Sequence, residues 1–205
     1  MKDVEEKDRR SIQIATPSLG EEEWNALREP IESGWLTQGP KVAAFERAFA
    51  ERHCVKHAIA VTSATTGLHL ALSSLDIGPG DEVIVPAFTW VATANAVLYC
   101  GGTPVFVDVD RTTFNISIQD VAHRLTPRTK AVIPVHLFGL CVEVDALRSA
   151  VGSRVAIVED AACAAGAALH DRPAGSLGDL GVFSFHPRKS ITTGEGGMVT
   201  TDNDR

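Results

Sequence analysis

Lys189 closes the segment Phe183-Ser184-Phe185-His186-Pro187-Arg188-Lys189, which ends an apolar run and leads into the glycine-rich turn Thr192-Thr193-Gly194-Glu195-Gly196-Gly197. A loop lysine is ordinarily a solvated charge. Set after a buried strand and near a phosphate, the same amine becomes a nucleophile suited to a Schiff base. A second candidate, Val158-Glu159-Asp160-Ala161-Ala162, ends another apolar run. An acidic pair there can bind a metal or a ribose, or pair with a cationic ring nitrogen. The alternative is that one acid caps a following helix. Small residues at Ala161, Ala162, Ala164 and Ala165 leave room for something flat above the strand. A third segment, Thr62-Ser63-Ala64-Thr65-Thr66-Gly67, lies between a strand and a helix, where free backbone N–H groups and the helix dipole bind phosphate. Taken alone it reads first as a plain N-cap by Ser63 or Thr65. Phosphate cradle, strand-end aspartate and loop lysine, in that order, are what pyridoxal 5′-phosphate requires. Gly194-Glu195-Gly196 is no dinucleotide fingerprint, because a strand rather than a helix follows it. A nicotinamide-dependent dehydrogenase is therefore disfavoured.

The elements that must position these residues follow from the hydrophobic pattern. Short apolar runs at Ala58–Ser63, Glu82–Pro86, Thr103–Val107, Ala131–Val135, Val155–Glu159, Gly181–Phe185 and Met198–Thr201 read as seven strands, several apolar on successive residues as in sheets covered on both faces. Thr65–Leu75, Thr89–Cys100, Ser117–Leu125 and Val142–Ala150 have helical spacing. Upstream, a helix is expected from near Ser18, with Glu21, Glu22 and Glu23 in its first turn. Another is expected over Lys41–Arg52, burying Val42, Phe45, Ala48 and Phe49 as one stripe. The alternation predicts an α/β fold, three-layer α/β/α, with a mostly parallel seven-stranded sheet. Ligands bind at the carboxyl ends of such strands. Polar residues gather there: Ser63 and Thr65, Thr89 and Trp90, Asp108, His136, Asp160, and Ser184 to Lys189. Their repeated position suggests one site built from several loops.

Composition sets the outer bounds. The 205 residues carry 19 basic and 26 acidic side chains, a net charge of −7, which argues against an electrostatic grip on nucleic acid. No run of about 18 apolar residues offers a membrane span. The charged segment Met1–Arg10 lacks a signal-peptide core, so residues 1–13 read as a solvated tail. Cys54, Cys100, Cys141 and Cys163 are scattered without a CxxC pair, which points to no metal site and to reduced thiols in the cytoplasm.

The chain resembles the DegT/DnrJ/EryC1/StrS family of sugar aminotransferases, pyridoxal-phosphate enzymes of the aspartate-aminotransferase fold. The resemblance runs from about Ile14 to the last residue. It is most specific from Phe183-Ser184-Phe185-His186 through Lys189 to Gly194-Glu195-Gly196-Gly197-Met198-Val199. Trp35 to Phe45, Pro86 to Thr93, Pro134 to Gly139 and Glu159-Asp160-Ala161-Ala162 support it. The resemblance implies that Lys189 attaches the cofactor and shuttles the proton. By the same carry-over Asp160 pairs with the pyridine nitrogen and Trp90 stacks on the ring. Ala64 and Thr65 bind the phosphate, with Ser184 closing the cradle. Cys163 stands where a glutamine often meets the phenolic-oxygen side. Ala64 in place of a common glycine, and Ala165 in place of a frequent histidine, also depart from the pattern.

The implied reaction is transfer of an amino group from glutamate or glutamine to a keto-sugar, typically nucleotide-linked, or a keto-cyclitol. It would serve amino-sugar, polysaccharide or antibiotic biosynthesis. A homodimer is implied for the full-length form. Family members run well beyond this length, so residues 14–205 are expected to form the cofactor-binding large domain, with the C-terminal small domain absent. A catalytically incompetent fragment is therefore a competing expectation. A pyridoxal-phosphate sugar dehydratase is another, against which the retained Lys189 counts, because a histidine usually replaces that lysine there.

Overall fold

The computed structural model describes residues 12–204; the tail expected over residues 1–13 lies largely outside them. Two helices come first, α1 (Glu21–Ser33) and α2 (Pro40–Arg52). Then β1 (His57–Val61), β2 (Glu82–Pro86), β3 (Thr103–Val107), β4 (Thr129–Val132) and β5 (Ala156–Asp160) alternate with α3 (Ala64–Ser74), α4 (Ala92–Tyr99), α5 (Ile118–Arg124) and α6 (Val144–Val151). A small hairpin, β6 (Ala168–Leu169) and β7 (Arg172–Pro173), precedes β8 (Leu180–Ser184) and β9 (Gly197–Thr201).

The main sheet has seven strands in the order β1-β9-β8-β5-β4-β2-β3. Its middle is parallel (β3 with β2, β2 with β4, β4 with β5, β5 with β8), and β9 runs antiparallel to both β8 and β1. The expected seven-stranded, mostly parallel sheet is what forms.

Period-2 alternation sorts the side chains between the two helical layers. Val83, Val85, Ala131, Ile133, Val158 and Val182 pack with Leu68 and Leu72 of α3 and Ala96 and Val97 of α4. The intervening Ile84, Val132 and Ile157 pack on the opposite face with Val121 of α5 and Leu147 of α6. Successive apolar residues in one strand thus serve two cores, and each fully buried Val, Ile or Leu contributes about 1.5–3 kcal/mol of transfer free energy. A third cluster joins Phe49 of α2 to Phe183, Phe185 and Met198. Its rings meet edge to face, with Phe49 and Phe183 centroids 4.9 Å apart.

Several expectations are corrected. α1 begins at Glu21 rather than near Ser18, capped at its end by Gly34 in the left-handed region (φ +71°). The three glutamates do occupy its first turn, but α1 has no buried residue. The α2 stripe is narrower than the pattern implied: Phe49 is buried, Val42 and Phe45 are half-buried, and Ala48 is exposed. The first strand stops at Val61, because Ser63 leaves the sheet to cap α3. The hairpin β6–β7 was not anticipated, since two-residue strands leave no periodicity to read. Among the described residues no helix is long and apolar enough to cross a membrane.

Candidate functional site

The carboxyl end of β5 organises the site. Alternation turns Glu159 and Asp160 to opposite faces of the sheet, and their surroundings differ accordingly. Glu159 is fully buried and saturated. One carboxyl oxygen accepts from the N–H groups of Leu177 (2.7 Å) and Gly178 (2.6 Å). The other accepts from Gly175 N–H (2.7 Å) and from His136 Nε2 (2.7 Å). His136 Nδ1 accepts from Val142 N–H (3.1 Å), which leaves the ring proton on Nε2, facing the glutamate. This pair ties the loop after β4 and the segment before β8 to β5. Glu159 and His136 are therefore internal fasteners, and His136, gathered above among the strand-end site residues, does not face an open site. The alternative reading, a helix cap by one of the two acids, does not hold, because no helix follows β5 directly.

Asp160 faces α4. Its Oδ2 accepts from the Thr93 hydroxyl (2.8 Å), which is itself 2.9 Å from Thr89 Oγ1. Its Oδ1 accepts from Ala162 N–H (3.2 Å). Burial pushes the Asp160 carboxyl above its ordinary range. The Thr93 and Ala162 hydrogen bonds oppose that shift, as does the more distant charge of Lys189. A buried carboxyl held on two sides by neutral donors can take a cationic N–H as a further partner. Thr93 is the site residue that sequence reasoning missed. Its only signal is a threonine among the small residues Ala92, Ala94 and Ala96, three residues after Trp90.

This raised carboxyl has a pH consequence. Between the unfolded and folded pKa the native chain holds a proton that the unfolded chain has released. Stability therefore falls as pH rises through that window and stays lowered above it. Asp160→Asn, nearly the same shape, removes that loss: its oxygen can still accept from Ala162 N–H and its amide nitrogen can donate to a Thr93 hydroxyl turned to accept. Without any bound cation the variant is expected to unfold at higher urea than wild type at about pH 8 and at equal urea near about pH 4. A variant weaker than wild type at about pH 8 would count against this account.

On the other side of β5 stand β8 and β9. Val61, Gly197 and Ser184 are register partners across three adjacent strands, which sets the α3 N-terminus beside the end of β8. Gly197 has room for no side chain: an added Cβ would lie 2.7 Å from the Phe183 carbonyl oxygen and 2.7 Å from the Ser63 carbonyl carbon. The Ser63 hydroxyl accepts from Thr66 N–H (3.2 Å), and the Thr66 hydroxyl accepts from Ser63 N–H (3.0 Å). The capping alternative is thus realised. It uses Ser63, while Ala64 and Thr65 occupy the first helical turn, where N–H groups have no carbonyl within the helix. The cap and an anion site are compatible here. Ser184 is buried, its hydroxyl accepting weakly from His186 N–H (3.4 Å).

Lys189 lies on a turn after β8 closed by its own N–H to the His186 carbonyl (2.9 Å). It is half-buried, and its Nζ lies 3.0 Å from the Sγ of exposed Cys163. Trp90 is 77% exposed at the start of α4, its carbonyl accepting from Thr93 N–H (3.1 Å). The structure therefore brings Asp160, Lys189 and Cys163 together beside the α3 N-terminus and Ser184, with Trp90 on the adjoining loop. Asp108 is elsewhere. It borders an open hollow of about 560 Å³ at the β3 edge with Phe106, Asp120 and Arg124, so the strand-end polar residues do not all serve one site. Ala161 and Ala164 fill the core under Phe183 and Phe185 rather than leaving room above the strand.

The DegT/DnrJ/EryC1/StrS aminotransferase family matches residues 17–205. The aminotransferase TlmJ from Streptoalloteichus hindustanus is 42% identical and superposes with a TM-score of 0.90, covering 94% of this chain and 54% of that one. An aminotransferase from Psychrobacter cryohalolentis is 40% identical with a TM-score of 0.88, covering 92% of this chain and 49% of that one. Spr1654 of Streptococcus pneumoniae, a sugar aminotransferase by its name and solved in its PLP form, is 34% identical with a TM-score of 0.91, covering 95% of this chain and 54% of that one. The chain thus spans about half the length of the solved structures it matches.

Proposed function

The chain belongs to the DegT/DnrJ/EryC1/StrS aminotransferase family, and from that premise we propose that it carries the cofactor-binding machinery of a pyridoxal-phosphate-dependent aminotransferase. The donor is glutamate or glutamine. The acceptor is a keto-sugar, nucleotide-linked in its usual form, or a keto-cyclitol. The observation that carries this reading is a buried, cation-ready Asp160 within electrostatic reach of the Lys189 amine, at the end of the sheet where β8 meets a helix N-terminus. When bound, pyridoxal 5′-phosphate supplies an electron sink for the carbon that loses a proton.

The chain's own residues divide the remaining work. Lys189 would hold the cofactor through its amine and would move the proton at Nζ, a step worth about 10²–10⁴-fold. Asp160, aimed by Thr93 and Ala162, keeps the ring nitrogen protonated through a charge-assisted hydrogen bond. Trp90 covers one ring face, and its exposure leaves it free to do so. Ala64 and Thr65 present N–H and hydroxyl groups to the phosphate, with Ser184 closing that end. Cys163, 3.0 Å from the Lys189 amine, would lie beside the bound group, on its phenolic-oxygen side by the family resemblance. Retention of Lys189 favours amine transfer over sugar dehydration.

Titration of the chain with pyridoxal 5′-phosphate tests this. An absorbance band near the visible edge is expected, bleached by glutamate or glutamine and restored by a keto acceptor. No band at saturating cofactor would overturn the reading, and a band that neither donor bleaches would overturn the assigned donors.

A further inference from the structure

The contact between Lys189 and Cys163 joins two nucleophiles that the proposed transamination does not need together. Both are held by turns rather than by chance side-chain positions. Asp160 Oδ1 and the Ala161 carbonyl accept from the N–H groups of Ala162 (3.2 Å) and Ala164 (2.9 Å), which fixes the backbone on either side of Cys163. Lys189 is fixed by its N–H to the His186 carbonyl and by Arg188 N–H to His186 Nδ1 (3.2 Å). The thiol is exposed and the amine is within 3.0 Å of it. The other thiols are placed differently. Cys141 is half-buried, and burial pushes its thiol up, away from the reactive thiolate. Cys100 faces the His69 carbonyl (3.8 Å) and the Ser73 hydroxyl (3.5 Å). Cys54 is exposed and serves as an internal reference.

We infer that Cys163 and Lys189 form an oxidant-responsive pair, closed reversibly by a hydroperoxide into a sulfur–nitrogen cross-link. In the first step the Cys163 sulfur attacks the peroxide. The O–O bond breaks, a sulfenic acid forms, and the peroxide is reduced to water or an alcohol. In the second step the lone pair of the neutral Lys189 amine attacks that sulfur. The S–N bond forms, the S–O bond breaks, and the oxygen leaves as water with a proton from the nitrogen. Two equivalents of an external thiol reverse the link, becoming a disulfide while Cys163 and Lys189 return as thiol and amine. The cross-link consumes the amine that the proposed function assigns to cofactor attachment. That consequence rests on the proposed function, whereas the cross-link itself does not.

The test uses the chain without cofactor, treated with hydrogen peroxide and mapped by peptide mass spectrometry. A linked pair of peptides containing residues 163 and 189 is expected, with an intact-mass loss of about 2 Da that dithiothreitol reverses. Dimedone should trap Cys54 in all samples. It should trap Cys163 at least about ten-fold more in Lys189→Ala than in wild type, because the sulfenic acid then has no amine to meet. Cys163→Ser should give neither product, and wild type unfolded in urea before the peroxide is added should not form the link. Three outcomes would overturn the inference: Cys163 trapped equally in wild type and Lys189→Ala, Cys163 recovered as a sulfinic acid or a disulfide without the linked pair, or a link that forms as readily in chain unfolded before oxidation. Failure of cofactor binding leaves this readout untouched, so the two readings fail separately.

Discussion

Lys189→Ala is expected to abolish amine transfer while leaving the fold intact. The substitution removes both the group that holds the cofactor and the group that moves the proton. The proton transfer alone accounts for about 10²–10⁴-fold, or about 3–5 kcal/mol of barrier. Little stability is lost with it, since the side chain is half-buried and its contact is to an exposed thiol. Lys189→Arg should fail almost as badly, because a guanidinium keeps the charge but is neither a nucleophile nor a base near neutral pH. The measurement is the rate at which glutamate or glutamine bleaches the cofactor band in a single turnover, beside a urea unfolding curve. A loss below about ten-fold would remove Lys189 from the centre of the reaction. Loss of the folded state in parallel would instead make the lysine structural.

Much of the layering was legible because a strand covered on both faces leaves a plain signature. Val83-Ile84-Val85 and Val155-Ala156-Ile157-Val158 are apolar on successive residues, and alternation assigns each residue to its own helical layer. The order of cradle, aspartate and lysine could also be read, since each lies where a strand gives way to a loop. Other features had no local signal. Glu159 and Asp160 are adjacent, and nothing in the residues between Val158 and Ala161 says which one meets four internal donors. Those donors come from His136, Gly175, Leu177 and Gly178, distant along the chain or held in a turn without periodicity. Asp108 looked equivalent to Asp160 as a strand-end acid, yet β3 is the edge of the sheet and β5 is near its middle. Thr93 had no more claim on a site than Asn95, two residues on in the same helix, until the fold set it against Asp160.

The adjacent acids therefore carry opposite expectations. Glu159→Ala should leave His136 and the N–H groups of Gly175, Leu177 and Gly178 without a partner at once. Breaking a buried, fully bonded carboxyl in this way costs about 3–5 kcal/mol, a large share of the roughly 5–15 kcal/mol that holds a domain of this kind together. Glu159→Gln should be milder but still destabilising, because an amide nitrogen cannot accept the N–H groups that one carboxyl oxygen now receives. Asp160→Asn should unfold at no lower urea than wild type near neutral pH, yet lose the band's response to an amino donor, since an amide cannot balance a protonated ring nitrogen. Urea midpoints and donor bleaching rates, measured side by side on the three variants, separate the roles. If Glu159→Ala unfolds at the wild-type midpoint, the internal fastening of β5 is wrong. If Asp160→Asn keeps its donor response, the ring nitrogen has another partner. The reason to expect the split is geometric: one step along a β-strand turns a side chain by half a revolution, from a core that closes around it to a face that can still accept a cation.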